Sequence, residues 1–152
     1  MIYGIIPKFF FAPIWYFYQT YGTLSLEYYQ YQRGKNMKFL EESTRPWGKY
    51  QKFYQENGVW VKRVEVNPKG RLSLQKHQHR SEKWIIVHGQ GLAIVDGKEI
   101  PVSPGSVVDV PLGAEHRMGN PYEHTLAFIE VACGDYLAED DIIRIEDDYT
   151  RQ

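Results

Sequence analysis

From Arg45 onward, apolar and polar residues alternate in short runs separated by turn-forming residues, a pattern of strands rather than helices. The runs are Trp47 to Tyr54, Val59 to Val66, Arg71 to His77, Glu82 to His88, Gly91 to Asp96 and Lys98 to Val102. Ser106 to Val110, His116 to Gly119, Thr125 to Val131 and Ile142 to Ile145 follow. Asp96-Gly97 marks a two-residue hairpin, and Asn67-Pro68-Lys69-Gly70, Pro104-Gly105 and Asn120-Pro121 mark further turns. No helical period of useful length follows Met37, and there are no internal repeats. The class expected is all-β, a sandwich or barrel.

Strand residues switch faces at each step, so Gln75 and His77 point the same way, about 7 Å apart. Arg71 and Ser73 share that face, which leaves Leu72 and Leu74 on the other. Glu82, Trp84, Ile86 and His88 share a face of the next run. If 71–77 and 82–88 are neighbouring strands, Gln75, His77 and Glu82 converge near one end of the barrel.

The chain's 152 residues suit one domain with a sizeable core, and 43% hydrophobic with 24% charged residues is ordinary globular composition. A net charge of -1 argues against a dedicated nucleic-acid binder. Cys133 is the single cysteine, so no internal disulfide forms and nothing demands an oxidising compartment. A cytoplasmic location is expected. The apolar neighbours Phe128 to Ala132 make a buried structural thiol the expectation for Cys133.

Residues 1–36 differ from the rest, being crowded with Tyr, Phe and Trp and carrying Glu27 alone among acids. Their apolar run, Phe9 to Tyr18, is too short and polar to span a bilayer, and no small-residue cleavage site follows. No membrane association is expected. Arg33-Gly34-Lys35-Asn36 permits purine-rich codons resembling a ribosome-binding sequence just before Met37. The expectation is an extension at 1–36 that is not native, and a single domain at 37–152.

The segment Gln75-Lys76-His77-Gln78-His79-Arg80-Ser81-Glu82 gathers imidazoles, an amide and a carboxylate, and His116 adds a distant imidazole. An all-β scaffold assembles a divalent-metal site from such donors. The spacing is that of a known motif pair. Gln75, His77, Glu82 and Gly89 are in register with the first cupin motif, with Gly70 one residue closer than its usual opening glycine. Gly105, Pro111, Gly113, His116 and Asn120 match the second motif at every fixed position. The chain therefore resembles the cupin superfamily, whose fold is a double-stranded β-helix, or jelly-roll barrel.

A narrower resemblance covers most of residues 45–151. Arg45-Pro46-Trp47-Gly48, Val61-Lys62-Arg63, Arg71-Leu72-Ser73-Leu74-Gln75 and His79-Arg80-Ser81-Glu82 look like the C-terminal isomerase domain of type II mannose-6-phosphate isomerases. Gly134-Asp135-Tyr136-Leu137, Glu139-Asp140-Asp141-Ile142 and Glu146-Asp147-Asp148-Tyr149 do so as well. Those enzymes are usually fused to a guanylyltransferase; this sequence has no room for that domain and lacks its Gly-rich nucleotide loop, so guanylyl transfer is not expected. Lys83 stands where the family commonly has His, removing a hydrogen-bonding or proton-transfer group. Thr150 stands where it commonly has Gly, which bears on a C-terminal turn and on Arg151.

The resemblance implies metal ligands Gln75, His77, Glu82 and His116, with His79 the alternative to Gln75. Zn, Mn, Fe, Co and Ni all accept that donor set, and two neutral imidazoles, an amide oxygen and one carboxylate leave the ion an effective Lewis acid. It also implies aldose–ketose isomerisation of mannose 6-phosphate and fructose 6-phosphate through a cis-enediol(ate). A dianionic phosphate needs a cationic clamp, for which Arg80, Arg71, Lys62 and Arg151 are candidates. His79 is the preferred base, with Lys62 a second candidate. Trp84 and Trp60 can stack on a sugar or pack the core; His88 and His124 are expected to be structural. A metal–sugar binding cupin without catalysis, and a metal-dependent oxygenase, are the competing classes. Outward Leu72 and Leu74 give a motive for homodimerisation.

Overall fold

The computed structural model describes residues 39–149. The expectations for residues 1–36, Thr150 and Arg151 lie outside those residues. The described strands are β1 (Glu41–Arg45), β2 (Gly48–Glu56), β3 (Val59–Val66), β4 (Leu74–His77), β5 (Arg80–His88) and β6 (Gly91–Val95). After them come β7 (Lys98–Val102), β8 (Val107–Val110), β9 (His116–Gly119), β10 (Leu126–Gly134) and β11 (Ile142–Glu146). A single 3-10 turn, Glu139–Asp141, is the helical element among the described residues. The all-β expectation holds. Strand β1 went unread because Glu-Glu-Ser-Thr-Arg has no apolar alternation; it is held as an edge by pairing along β2.

Two sheets form, ordered β1-β2-β3-β10-β5-β8 and β11-β4-β9-β6-β7, with antiparallel pairing throughout. Their inner faces supply the core: Val64 and Val66 from β3, Trp84 and Ile86 from β5, Phe128 from β10 and Met118 from β9. Each such side chain contributes about 1.5–3 kcal/mol by leaving water. The strict inside–outside alternation of β3 shows how this follows from sequence: Trp60, Lys62, Val64 and Val66 are all buried, and their neighbours only half so.

The connectivity corrects one expectation. Strands β4 and β5 are consecutive but lie in opposite sheets, so 71–77 and 82–88 are not neighbours. The link through Gln78 and His79 crosses from sheet to sheet, with both backbone amides donating to the Asp141 carboxylate. Gln75 and His77 therefore approach Glu82 across the barrel interior.

Alternation also fails before β4. Arg71 forms only an isolated bridge to Gly119, and regular strand begins at Leu74. Without a pleat through 72–73, both Leu72 and Ser73 turn inward: Leu72 packs on the core and Ser73 is buried. Arg71 points out, bound through Nε and Nη2 to Asp148 at 2.5 and 2.8 Å. Leu72 is thus neither outward nor available for dimerisation. His88 is exposed because a bulge between Ala127 and Phe128 shifts the register at that end of β5. His124 is exposed as well, in the loop before β10. Cys133 is exposed, not buried; on β10 the inward positions are Phe128, Glu130 and Ala132, so its parity faces solvent.

Asn120, the closing residue of the second motif, is a buried hub. Its Nδ2 donates to the carbonyls of Val66, Asn67 and His124 at 3.1, 3.1 and 2.7 Å, and Oδ1 accepts from the Tyr122 amide. It ties the end of β3 to the loop before β10.

Candidate metal centre

The second motif brings His116 back to the first by a turn at Pro111–Ala114, whose Gly113 has φ 79° and donates its amide to the His77 carbonyl. On β9, His116 lies directly opposite Gln75 of β4. His77, Glu82 and His116 then place three ligand atoms within 4.8 Å of one another, all buried. Glu82 Oε1 is 3.0 Å from His77 Nε2, and Glu82 Oε2 is 3.9 Å from His116 Nε2.

Each ring is oriented from behind. His116 Nδ1 lies 2.9 Å from the Ala114 carbonyl, which holds the proton on that nitrogen and leaves Nε2 as a lone pair. That Nε2 is buried without a hydrogen-bond partner. Burial pulls the His116 pKa below its ordinary value despite the Glu82 charge, so the imidazole is neutral, as a ligand must be. Burial alone would raise the Glu82 carboxyl. The His77 hydrogen bond and the charge of the Arg80 guanidinium instead hold it far below the usual carboxylate range. Trp84 Nε1 donates to Glu82 Oε2 at 3.0 Å. An orphaned imidazole lone pair, a second imidazole and an ionised carboxylate, all dry and aimed together, fit a divalent ion.

Gln75 lines the cavity beside Glu82, its Oε1 accepting from Ser73 Oγ at 2.9 Å. His79 does not reach this cavity. Its side chain is 47% exposed, 3.3 Å from Asp135 and edge-on to Tyr136. Of the two alternatives for the fourth ligand, Gln75 stands at the site and His79 outside it. His79 is also out of place as the base.

Arg80 is buried at the centre. Its Nε donates to Glu82 Oε1 at 3.1 Å, its Nη1 to Asp141 Oδ2 and the Ala138 carbonyl, and its Nη2 lies 3.2 Å from His77 Nε2. The guanidinium stacks over Trp60 at 4.8 Å. Lys62 is buried too, with Nζ 3.8 Å from the Trp60 centroid and 4.5 Å from that of Tyr50, and ion-paired with Glu139. Lys52 Nζ adds a third cation 4.8 Å from the Trp60 centroid. Trp60 is a platform for cations, and Trp84 packs between Phe128 and His116 at 5.3 and 5.5 Å while orienting Glu82. Neither indole presents a face for a sugar, which corrects that expectation for Trp84. Arg71, 48% exposed, lies outside the cavity that Lys62, Arg80, Arg45 and Arg144 line. Lys83 is exposed on the outer face and paired with Asp109, so this departure from the family's His lies away from the centre.

Sequence reasoning missed Glu130, Glu139 and Asp141. Glu130 was findable: it is a charged residue at inward parity in the apolar run Leu126 to Val131. Trp60 Nε1 donates to its Oε1 at 2.8 Å, and the carboxyl is pushed up to about 7, by burial first and the Glu82 charge second. Lys62, Arg80 and the Trp60 hydrogen bond offset this only in part.

Two sheets closed on a buried His–Glu–His group define a cupin barrel, and solved structures agree. The chain superposes on the Staphylococcus aureus capsular polysaccharide assembling protein CapF with TM-score 0.60 and 20% identity, over 70% of this chain and 34% of that one. A cupin-2 domain from Rhodospirillum rubrum gives TM-score 0.56 and 23% identity, over 66% and 77%. Residues 32–147 match the family model described as mannose-6-phosphate isomerase, C-terminal, and the chain belongs to that family. It is 38% identical over 127 residues to a mannose-1-phosphate guanylyltransferase of Klebsiella pneumoniae, covering 84% of this chain and 27% of that protein. It is 42% identical over 110 residues to the alginate biosynthesis protein AlgA of Pseudomonas aeruginosa, covering 72% and 23%. The chain thus spans about a quarter of the length of these curated relatives.

Proposed function

We propose that this domain interconverts mannose 6-phosphate and fructose 6-phosphate with the help of a divalent ion held by His77, Glu82, His116 and Gln75. The observation that carries the reading is the meeting of that donor set with two buried cations, Lys62 and Arg80, in one family-defining barrel. A bound ion supplies a positive charge to sugar oxygens as negative charge develops on them. Lys62 supplies the cationic partner for the phosphate, which takes the place that Glu139 now holds on its ammonium. Arg45 and Arg144 line the same cavity and extend the clamp. Arg80 is bound to Glu82 and to Asp141 and fixes both carboxylates. Zinc, manganese, iron, cobalt and nickel all suit these donors.

The test is a coupled assay of mannose 6-phosphate turnover after EDTA treatment and after return of each ion. Turnover that vanishes with EDTA and returns with one ion supports the reading; none with any ion refutes it. One observation favours a second reading, a sugar-binding cupin without catalysis: the Arg80 guanidinium lies against the donor atoms of His77 and Glu82, where it can stand in for a cation. Stoichiometric metal in purified, metal-supplemented protein counts against it. Oxygen consumption without isomerisation would instead indicate an oxygenase.

The proposal includes a cytoplasmic homodimer. No helix among the described residues is long and apolar enough to cross a membrane. The exposed Ile85, Val87 and Val107, on adjacent strands of the six-stranded sheet, offer the apolar surface that Leu72 does not. Sedimentation equilibrium of wild type and I85K tests the dimer.

A further inference from the structure

Isomerisation needs a group that carries a proton between two adjacent carbons, and the ligand set contains none that is free to do so. Glu82 is committed to its imidazoles and Arg80, and His79 faces solvent. Asp141 is consumed by Arg80 and two backbone amides.

Glu130 remains. On β10 it lies directly opposite Lys62 of β3 on one side and Trp84 of β5 on the other. Glu82, two residues before Trp84, is opposite Ala132, so the two glutamates are diagonal neighbours on one inward face. Such neighbours stand about 7–8 Å apart, which leaves room for a sugar carbon between a group held at Glu82 and a base at Glu130. Glu130 lines the cavity with Gln75, Lys62 and Glu82. Its Oε1 is held by Trp60, while Oε2 has no hydrogen bond among the described residues. A buried carboxylate with one oxygen anchored and the other open to a cavity is positioned for proton transfer.

We propose that Glu130 is the base that moves the proton between C2 and C1 of the bound hexose phosphate, an assignment that rests on the isomerase reading. In the forward direction Glu130 Oε2 takes the proton from C2. The C2–H electron pair becomes the second C1–C2 bond, and the carbonyl π pair moves onto O1. The O2 proton then passes to O1, its neighbour in the cis arrangement. The O2 electron pair forms the new carbonyl, and the C1–C2 π pair takes the proton back from Glu130 at C1. No oxidant, reductant or co-reactant is consumed.

The experiment compares wild type with E130Q and E130D, each supplied with the metal that activates wild type. Turnover, exchange of the sugar's C2 proton with deuterium oxide by NMR, and mannose 6-phosphate affinity by calorimetry are all measured. E130Q is expected to lose turnover and exchange by at least about 100-fold and to keep the affinity within about threefold. E130D, which keeps a shortened carboxylate, is expected to recover part of the exchange.

A 1,2-anhydrohexitol 6-phosphate gives a readout on wild type that does not depend on a variant folding. A carboxylate base opens the epoxide, forms an ester and is found by peptide mass spectrometry, here on Glu130. Ester on another carboxylate, or exchange in E130Q within tenfold of wild type, overturns the role of Glu130 and leaves the isomerase reading intact. A wild type that neither isomerises nor exchanges with any of the five ions overturns both.

Discussion

Substituting Gln for Glu130 is expected to stabilise the protein while disabling it. The Glu130 carboxyl is raised from an ordinary 4.5 to about 7. In the unfolded chain it ionises near 4.5, so between the two values the native state binds more protons. Below pH 4.5 the carboxyl is neutral in both states and costs nothing. As pH rises through 7 the native state must hold a buried anion, and stability is lost. At about 1.4 kcal/mol per pH unit, a shift of this size corresponds to about 3 kcal/mol by pH 8. Glutamine matches the neutral acid in shape and still accepts from Trp60 Nε1. The measurement is urea unfolding of EDTA-treated wild type and E130Q from pH 4 to 8. Their difference should be near zero at pH 4 and grow in favour of E130Q to about 3 kcal/mol at pH 8. Contributions from titrating groups distant from Glu130 cancel to first order in the difference. A difference independent of pH, or an E130Q less stable than wild type at pH 8, would refute the argument that burial strains this carboxylate.

Three further outcomes follow from the geometry. N120A strips one donor group from three backbone carbonyls and an acceptor from the Tyr122 amide, and should cost about 2–4 kcal/mol in denaturant unfolding. G89A and G97A both place a side chain at positive φ, 73° and 74°, but the new Cβ at Gly89 would lie 2.3 Å from the Thr125 carbonyl while Gly97 is open. G97A should cost about 1 kcal/mol and G89A several times that, read as a gap of ten degrees or more between their melting temperatures. R71A removes an exposed pair with Asp148 and should change stability by less than about 1 kcal/mol and KM by less than twofold; a tenfold rise in KM would return Arg71 to the site.

Legibility of the site in the sequence varied with the kind of information needed. Face alternation placed Glu82 and His77 inward correctly, and the same rule applied to Lys62, Glu130 and Cys133 places each of them. Local composition misled at Cys133, because apolar neighbours on a strand lie half on the outer face. Alternation misled at Arg71 and Leu72, because the pleat it assumes begins only at Leu74. Glu139 and Asp141 stood in a segment that carried the family resemblance, but nothing local tied them to the site, since their partners Lys62 and Arg80 lie more than fifty residues earlier.

The strand class, the turn positions, the inward donors and the two-motif spacing were all present in the order of residues, because each depends on a period or spacing read over a few positions. The pairing of sheets was not. Whether β5 lies beside β4 or across from it depends on how the whole barrel buries its two inner faces. That choice turned Gln75 and His116 into strand partners, left His79 in solvent and enclosed Glu130 with Lys62. Chemistry in a barrel is assembled across the core, and proximity across the core is a property of the closed sheets rather than of any one segment.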